Sequence, residues 1–177
     1  IFPREVLGLG PDDLGFSAAR MHFAYGLGNS LLFPLASGGA AAILPGRPTA
    51  ERLFAALERF RPTIFYAGPA HFQAMLNLHR AWREGLVAPA PGPPPAGLPR
   101  LESVRLAVSA GEALPAALGA AWRETFGHEI LDCAGSTENL TFFLANRPGR
   151  SRPGSAGEAV PGFALRLVDE RGRDVPE

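Results

Sequence analysis

Strand-like and helix-like segments alternate along this chain, and that alternation restricts the fold more than any other feature of the sequence. Residues 14–17 and 41–44 are short apolar runs bounded by Gly, Pro or Asp, and 63–67 is rich in β-branched and aromatic side chains. Apolar residues at helical spacing follow Thr49 and Pro115. Because alternating strands and helices pair as parallel strands with helices on their faces, we predict an α/β fold with a mainly parallel sheet.

The remaining predicted elements complete this pattern. Further strands are expected at 104–108, 129–131, 141–145 and 163–168, the last as part of an appended β element at the C-terminal end. A helix should follow Gly68-Pro69 as far as about Trp82. The helix at Pro115 should have this proline as its first residue and end at Gly127.

The charge balance excludes some classes of partner. Basic and acidic side chains number 17 each, so no bulk field attracts nucleic acid or an anionic membrane. The single cysteine, Cys133, fits a reducing, cytoplasmic setting, and we expect no signal peptide. Residues 23–45 carry no charge and are long enough to span a bilayer, but Gly26, Gly28 and Pro34 interrupt them. A buried helix and strand explain this stretch better than a membrane span.

A Pro- and Gly-rich segment occupies residues 84–99. Its prolines lack the amide donors that a sheet needs, so we predict a surface loop within one domain. The alternative is a linker between two domains. Resumption of the strand pattern directly afterwards favours the loop.

Three predicted strands end in small or polar residues. These ends are Gly68-Pro69, residues 109–115 and residues 132–138. Ligands of open α/β sheets bind at the carboxyl ends of the strands, where small residues let main-chain amides approach them. Thr137 offers a hydroxyl group to a phosphate, and Glu138 offers a carboxylate suited to Mg²⁺. On local spacing alone, Ser136-Thr137-Glu138 is more often a helix cap with an acidic first turn.

Several motifs occur in an order and spacing that resemble the adenylate-forming superfamily of acyl-CoA synthetases. They are Gly111-Glu112-Ala113-Leu114-Pro115, Gly135-Ser136-Thr137-Glu138, Pro153-Gly154-Ser155-Ala156-Gly157, and Pro161-Gly162 followed by Leu167-Val168-Asp169. Residues 23–29 and 45–49 resemble those of benzoate-CoA ligases in particular. This resemblance covers essentially the whole chain.

The resemblance implies an ATP-dependent ligase that joins an aryl carboxylate to CoA. The carboxylate would attack the α-phosphate of Mg·ATP, and the CoA thiol would then displace AMP from the acyl-adenylate. Two alternatives remain: an enzyme that loads the aryl acid onto a carrier-protein thiol, and a non-catalytic binding module of the same fold. The resemblance also implies that residues 1–177 are a single internal fragment of the large N-terminal domain. The phosphate loop and the C-terminal domain would lie outside it, so the fragment alone should be inactive.

Site residues follow from the same resemblance. The nucleotide would be bound by Ser109, Gly111, Glu112, Ala113, Asp132, Ala134, Ser136 and Thr137. The acid would be bound by Ala24, Tyr25, Gly135, Thr141 and Phe142. Thr137 and Glu138 would be catalytic, and Glu138 would contact the metal.

Three positions depart from the family pattern. Thr141 stands where benzoate-CoA ligases carry His, and Phe142 stands where they carry a smaller aliphatic residue. Ala134 stands where many relatives place an aromatic ring against the purine. The wall that contacts the acid is therefore altered, although its aromatic lining still favours a planar aryl acid over a long acyl chain.

Other reactive side chains have structural interpretations. The four histidines, His22, His71, His79 and His128, have no metal-ligand spacing. Cys133 has no His partner in a recognisable pattern, so we predict a buried thiol rather than a nucleophile.

Overall fold

A single twisted sheet organises the computed structural model, which describes residues 1–87, 99 and 101–175. Within these residues the sheet has seven strands in the order β2-β1-β3-β4-β5-β6-β7. They are β1 (Leu14–Ser17), β2 (Ala40–Ala42), β3 (Ile64–Ala67), β4 (Leu106–Ser109), β5 (Ile130–Ser136), β6 (Thr141–Ala145) and β7 (Glu158–Ala159). Strands β1 to β5 pair in parallel, whereas β6 and β7 pair antiparallel at one end.

The helices connect these strands. They are α1 (Ala24–Leu27), α2 (Phe33–Ser37), α3 (Ala50–Phe60), α4 (Pro69–Arg83) and α5 (Ala116–Phe126), with wide helical turns at Phe2–Val6 and Gly28–Leu32. The Thr49 hydroxyl caps α3 by accepting from the amide of Arg52. Gly127 ends α5 with φ of 82°, the left-handed conformation that glycine adopts without strain.

Both faces of the sheet are covered, as expected for a parallel sheet. Every residue of β3 is buried, with Phe65 facing one core and Tyr66 the other. The first core packs β3 against α3, α4 and α5 and contains Trp122, which is fully buried. The second core contains Phe33 and Phe142 and lies beneath the helical segment that begins at α1.

The predicted α/β fold with a mainly parallel sheet and flanking helices is confirmed. The strand predicted at 129–131 extends to Ser136. Pro115 precedes α5 as its N-cap, so the prediction that it is the first helical residue was wrong by one position.

The strand predicted at 163–168 is also wrong. Leu165 and Leu167 are 48% and 71% exposed, so their alternating pattern has no neighbouring strand against which to be buried. This part forms a small turn instead, with a bridge between Val168 and Asp174. The antiparallel strands beyond β5 are therefore β6 and β7. The loop predicted at 84–99 falls largely on residues 88–98, which lie outside the described residues.

Candidate active site

A cavity of about 340 Å³ lies at the carboxyl ends of β4 and β5. Its lining residues are Ala19, Phe23, Ala24, Tyr25, Asn29, Phe33, Ala110, Gly111, Gly135, Ser136, Thr137, Leu140, Thr141 and Phe142. The structure thus brings together all the residues predicted to bind the acid. Gly111, Ser136 and Thr137 from the predicted nucleotide site reach the same cavity.

Tyr25 forms one wall and is fixed by the sheet. Its hydroxyl group donates a hydrogen bond to the main-chain carbonyl of Val108 at 2.9 Å and lies 3.3 Å from that of Ala67. Burial raises the pKa of this phenol well above its ordinary value, so the ring remains neutral. The next residue, Gly26, lies so close to the main-chain carbonyl of Arg20 that no side chain would fit there.

Phe142 forms the adjoining wall within a cluster of aromatic rings. Its ring centroid lies 5.7 Å from that of Tyr25 and 4.7 Å from that of Phe2, both in edge-to-face geometry. Phe33 lies 6.4 Å away on another side. Because Phe142 is only 4% exposed, these neighbours restrict its ring to one position.

The connection between β5 and β6 carries the predicted catalytic residues. Residues 137–140 form a tight turn in which the Leu140 amide donates to the Thr137 carbonyl at 3.2 Å, and Leu140 has φ of 53°. No helix begins here in the described chain, so the helix-cap interpretation of residues 136–138 was wrong. Thr137 lines the cavity. Glu138 is exposed at the turn, where its own main-chain amide and the Ser136 hydroxyl lower the pKa of its carboxyl group.

Asp132 and Ser109 lie side by side in register on β5 and β4. One carboxylate oxygen of Asp132 accepts from the Leu114 amide at 3.0 Å, and burial raises the pKa of this carboxyl group. Its other carboxylate oxygen and the Ser109 hydroxyl are buried as well, and the Ser109 hydroxyl opposes the effect of burial on the pKa of Asp132. Neither residue lines the cavity.

Four other predicted residues lie outside the cavity lining. Glu112 borders a larger groove next to it, and Ala113 is exposed beyond that groove. Ala134 is half-buried beside the irregular pairing of β5 with β6, and Glu138 lies at the exposed turn.

The sequence did not single out two polar residues that shape this region. Asn29 is 1% exposed and lines the cavity. Asn146 is 3% exposed, and its amide group donates to the main-chain carbonyl of Asp132 at 3.0 Å and to that of Ser155 at 2.6 Å. The sequence signal for Asn29 was its position within the charge-free stretch 23–45, because a polar side chain buried among apolar residues needs a hydrogen-bond partner.

The acidic, histidine and cysteine side chains of the described residues do not form a metal-binding cluster. Among the residues described, no group of three His, Cys, Asp or Glu side chains could hold a metal ion. Burial raises the pKa of the Cys133 thiol, which therefore remains protonated. Burial also lowers the pKa values of His71, His79 and His128.

Comparison with known proteins settles the family. The AMP-binding enzyme family matches residues 2–177. The chain belongs to this family. It is 43% identical over 175 residues to the benzoate-CoA ligase of Thauera aromatica, covering 99% of this chain and 30% of the relative. It is 41% identical to the 4-hydroxybenzoate-CoA/benzoate-CoA ligase of Rhodopseudomonas palustris, covering 97% of this chain and 29% of the relative.

Solved AMP-binding enzymes share the same architecture. The anthranilate CoA ligase AuaEII in complex with anthranoyl-AMP superimposes with a TM-score of 0.86 at 40% identity, covering 99% of this chain and 31% of that one. The chain thus spans about 30% of the length of the relatives it matches. No helix in the described part of the chain is long and apolar enough to cross a membrane.

Proposed function

We propose that this chain supplies the acid-binding wall of an ATP-dependent aryl carboxylate-CoA ligase. The observation that carries this proposal is the small cavity walled by Tyr25 and Phe142 beside the turn at Thr137. At about 340 Å³ it lies at the lower end of ligand pockets, which favours a compact planar acid over a long acyl chain. Similarity to benzoate- and anthranilate-CoA ligases supports the same substrate class.

The proposed reaction has two steps. A carboxylate oxygen of the acid attacks the α-phosphorus of ATP, and pyrophosphate leaves. The CoA thiol then attacks the carbonyl carbon of the acyl-adenylate, loses its proton and displaces AMP. Thr137 would donate its hydroxyl hydrogen to a phosphate oxygen, and its position at the edge of the cavity in which the carboxylate would lie supports this role.

The nucleotide would lie on the β4 and β5 side of the cavity. Gly111, with φ of 96°, allows the chain to turn there with its main chain exposed. Asp132 would accept from the adenine amino group through its carboxylate. Main-chain atoms of Glu112 and Ala113 would border the ring, and Ala134 would contact it through a methyl group. Ser109 would support Asp132.

Glu138 fits the role of a magnesium ligand. Its pKa is lowered, so it is ionised at neutral pH, and its exposed position leaves room for phosphate oxygens to complete the coordination. When bound with ATP, Mg²⁺ supplies neutralisation of the phosphate charge.

The groove next to the cavity offers a route for the thiol. It encloses about 1200 Å³ and shares Ala19, Phe23, Tyr25, Ala110 and Gly111 with the cavity. Arg20 and Arg47 lie along it and could pair with phosphate groups of CoA. The buried thiol of Cys133 fits the reducing cytoplasm in which we propose that the enzyme works.

The test uses the full-length protein. Exchange of labelled pyrophosphate into ATP is measured with benzoate, substituted benzoates, acetate and decanoate, followed by mass spectrometry of the CoA products. We expect exchange that depends on aryl acids and yields aryl-CoA thioesters. A preference for decanoate or acetate would contradict the proposal. Exchange without thioester formation would instead support transfer to a carrier-protein thiol.

A further inference from the structure

The segment formed by residues 45–49 borders the groove next to the cavity. Arg47, Pro48 and Thr49 line that groove. Gly46 has φ of 80°, the left-handed conformation that glycine adopts without strain. Because residues 45–49 belong to no helix or strand, contacts from outside the segment have to fix its shape.

Arg52 supplies these contacts. Its guanidinium donates from Nη2 to the main-chain carbonyl of Pro45 at 2.5 Å and from Nη1 to that of Arg47 at 2.8 Å. The two carbonyls flank Gly46, and a Cβ atom on residue 46 would lie only 2.9 Å from Arg52 Nη1. The rigid, planar fork of an arginine can hold two acceptors at once. Arg52 therefore holds the segment on both sides of its glycine.

The position of Arg52 within α3 makes these two hydrogen bonds informative. Arg52 is the third residue of the helix, and the partial positive charge of a helix N-terminus disfavours a cation there. The two carbonyl oxygens offset this effect. The main chain adds to the connection, because the Thr49 hydroxyl accepts from the Arg52 amide and the Thr49 amide donates to the Arg47 carbonyl at 3.1 Å. The start of α3 and the segment thus hold each other in one arrangement.

Arg47 is the cation that this arrangement holds at the groove. Its side chain takes part in none of the ion pairs formed among the described residues. Glu51 and Glu112 line the same groove, so an anion would be bound there by an arginine at a defined position rather than by a general positive field. The groove and the cavity share Ala110 and Gly111, so a ligand whose thiol reaches the cavity would have its phosphate groups further along the groove.

We propose that Arg52 is a positioning residue for CoA, which fixes Arg47 where its guanidinium pairs with a phosphate group of CoA. This inference rests on the proposed function, since it concerns the thiol substrate of the same ligase. Arg52 does not line the groove, so it acts through Arg47. Its contribution is to order the segment before CoA arrives, so that less conformational entropy is lost on binding.

The experiment separates the thiol step from the adenylation step in the full-length protein. Thioester formation gives the KM for CoA, and acid-dependent pyrophosphate exchange, which needs no CoA, gives the KM for the acid. In Arg52→Met, which keeps the stem and removes the fork, we expect the KM for CoA to rise about fivefold and the KM for the acid to change by less than about twofold. Arg52→Lys can reach only one carbonyl and should give an intermediate KM for CoA. Arg59→Met, near the other end of α3, is the matched control and should change neither constant.

A double variant tests whether Arg52 acts through Arg47. Arg47→Met should raise the KM for CoA at least as much as Arg52→Met does, and combining the two should bring little further increase. Effects that multiply would overturn the inference, as would equal rises in the KM for CoA and the KM for the acid, which would show general damage to the fold. If the unaltered protein shows no exchange with aryl acids or forms no CoA thioester, the proposed function fails. An unchanged KM for CoA in Arg52→Met contradicts only this inference.

Discussion

Gly135 and Thr141 approach each other so closely across β5 and β6 that the Thr141 carbonyl occupies the space that a Cβ atom on residue 135 would need. The same Cβ atom would also lie 3.1 Å from the Cα of Phe142. A shift in register between Ala134 and Gly135 brings the strands into this contact. Gly135, Thr141 and Phe142 all line the cavity, so this contact sets the position of the wall that would face the acid.

We predict that Gly135→Ala destabilises the full-length protein by about 1–3 kcal/mol, because β6 must move to admit the methyl group. Urea denaturation measures the loss, and the KM for the acid should rise with it. Gly119→Ala is the matched control, since its Cβ would lie 3.6 Å from a Leu114 methyl group, an ordinary contact in the middle of α5, where alanine should not destabilise. A free energy of unfolding for Gly135→Ala no lower than that of the unaltered protein would show that β6 shifts freely.

A second prediction concerns the ion pair between Asp13 and Arg105. The Arg105 guanidinium meets both carboxylate oxygens of Asp13, at 2.8 and 3.0 Å, and the Thr63 hydroxyl donates to the same carboxylate at 2.6 Å. Burial raises the pKa of Asp13, but these hydrogen bonds outweigh burial and hold it at about 2, below the ordinary 3.8. Folding therefore favours the ionised form. Its contribution is complete above pH 3.8 and is lost as the pH falls towards 2.

Asp13→Asn should accordingly lower the free energy of unfolding at pH 7 by about 1–2 kcal/mol, a figure reduced for the solvent exposure of Arg105. The difference in the free energy of unfolding between Asp13→Asn and the unaltered protein should shrink as the pH falls from 4 to 2. Urea titrations at several pH values measure it. Asp174→Asn removes an exposed pair with Arg166 and should change stability little. If Asp13→Asn is destabilised by the same amount at pH 2 as at pH 7, the ionised Asp13 carboxylate is not the source of the stability.

Most of the sheet could be predicted from the sequence because its strands are buried on both faces and read as continuous apolar runs. Ile64–Ala67 is such a run. The turn at residues 137–140 could not be predicted, since Ser136-Thr137-Glu138 has the same local chemistry as a helix cap. The deciding factor is the pairing of β5 with β6, which is a tertiary interaction.

The cavity proposed to bind the acid was predictable only through family resemblance. Ala24 and Phe142 are more than 100 positions apart, and no local pattern links residues at that separation. Asn29 was missed because burial of its side chain depends on the wide turn that follows α1. Phe163–Val168 was predicted as a strand because its alternation resembles one, but Leu165, Leu167 and Val168 remain exposed, and Phe163 packs against the second core instead.

Glu138→Gln tests the proposed magnesium ligand. Removing the charge while keeping the size of the side chain should slow aryl-acid-dependent pyrophosphate exchange by about 2–4 kcal/mol in transition-state stabilisation, by analogy with the loss of one preorganised electrostatic group. Exchange is measured across a range of magnesium concentrations. Glu170→Gln, at another exposed position, is the control. Unchanged rates and unchanged magnesium dependence in Glu138→Gln would remove this residue from the mechanism.

Thr141→His tests whether this cavity wall selects the acid. By family resemblance, benzoate-CoA ligases are expected to carry His at this position, and its larger ring would fill space beside Phe142. We predict a shift of preference towards unsubstituted benzoate worth about 1–3 kcal/mol between competing acids. The measurement is kcat/KM over a panel of substituted benzoates in both proteins. An unchanged rank order of acids would mean that this wall does not select the substrate.

The 177 residues produced on their own should not form a CoA thioester. The described lining of the cavity includes no charged side chain that could hold the phosphates of ATP. Much of the activation barrier to thioester formation is overcome by holding ATP, acid and thiol together, which the chain on its own should fail to do. Its affinity for AMP or an aryl acid should be no tighter than millimolar, a binding free energy of about 4 kcal/mol.

Incubation of the purified chain with Mg·ATP, CoA and benzoate, followed by mass spectrometry, tests this last prediction. Cooperative thermal unfolding by circular dichroism is the control, because it shows that inactivity does not result from an unfolded chain. Titration with AMP, followed by tryptophan fluorescence, measures the residual affinity. Robust production of benzoyl-CoA would mean that these residues suffice to position all three reactants, and that the division of roles proposed for Thr137 and Glu138 is incomplete.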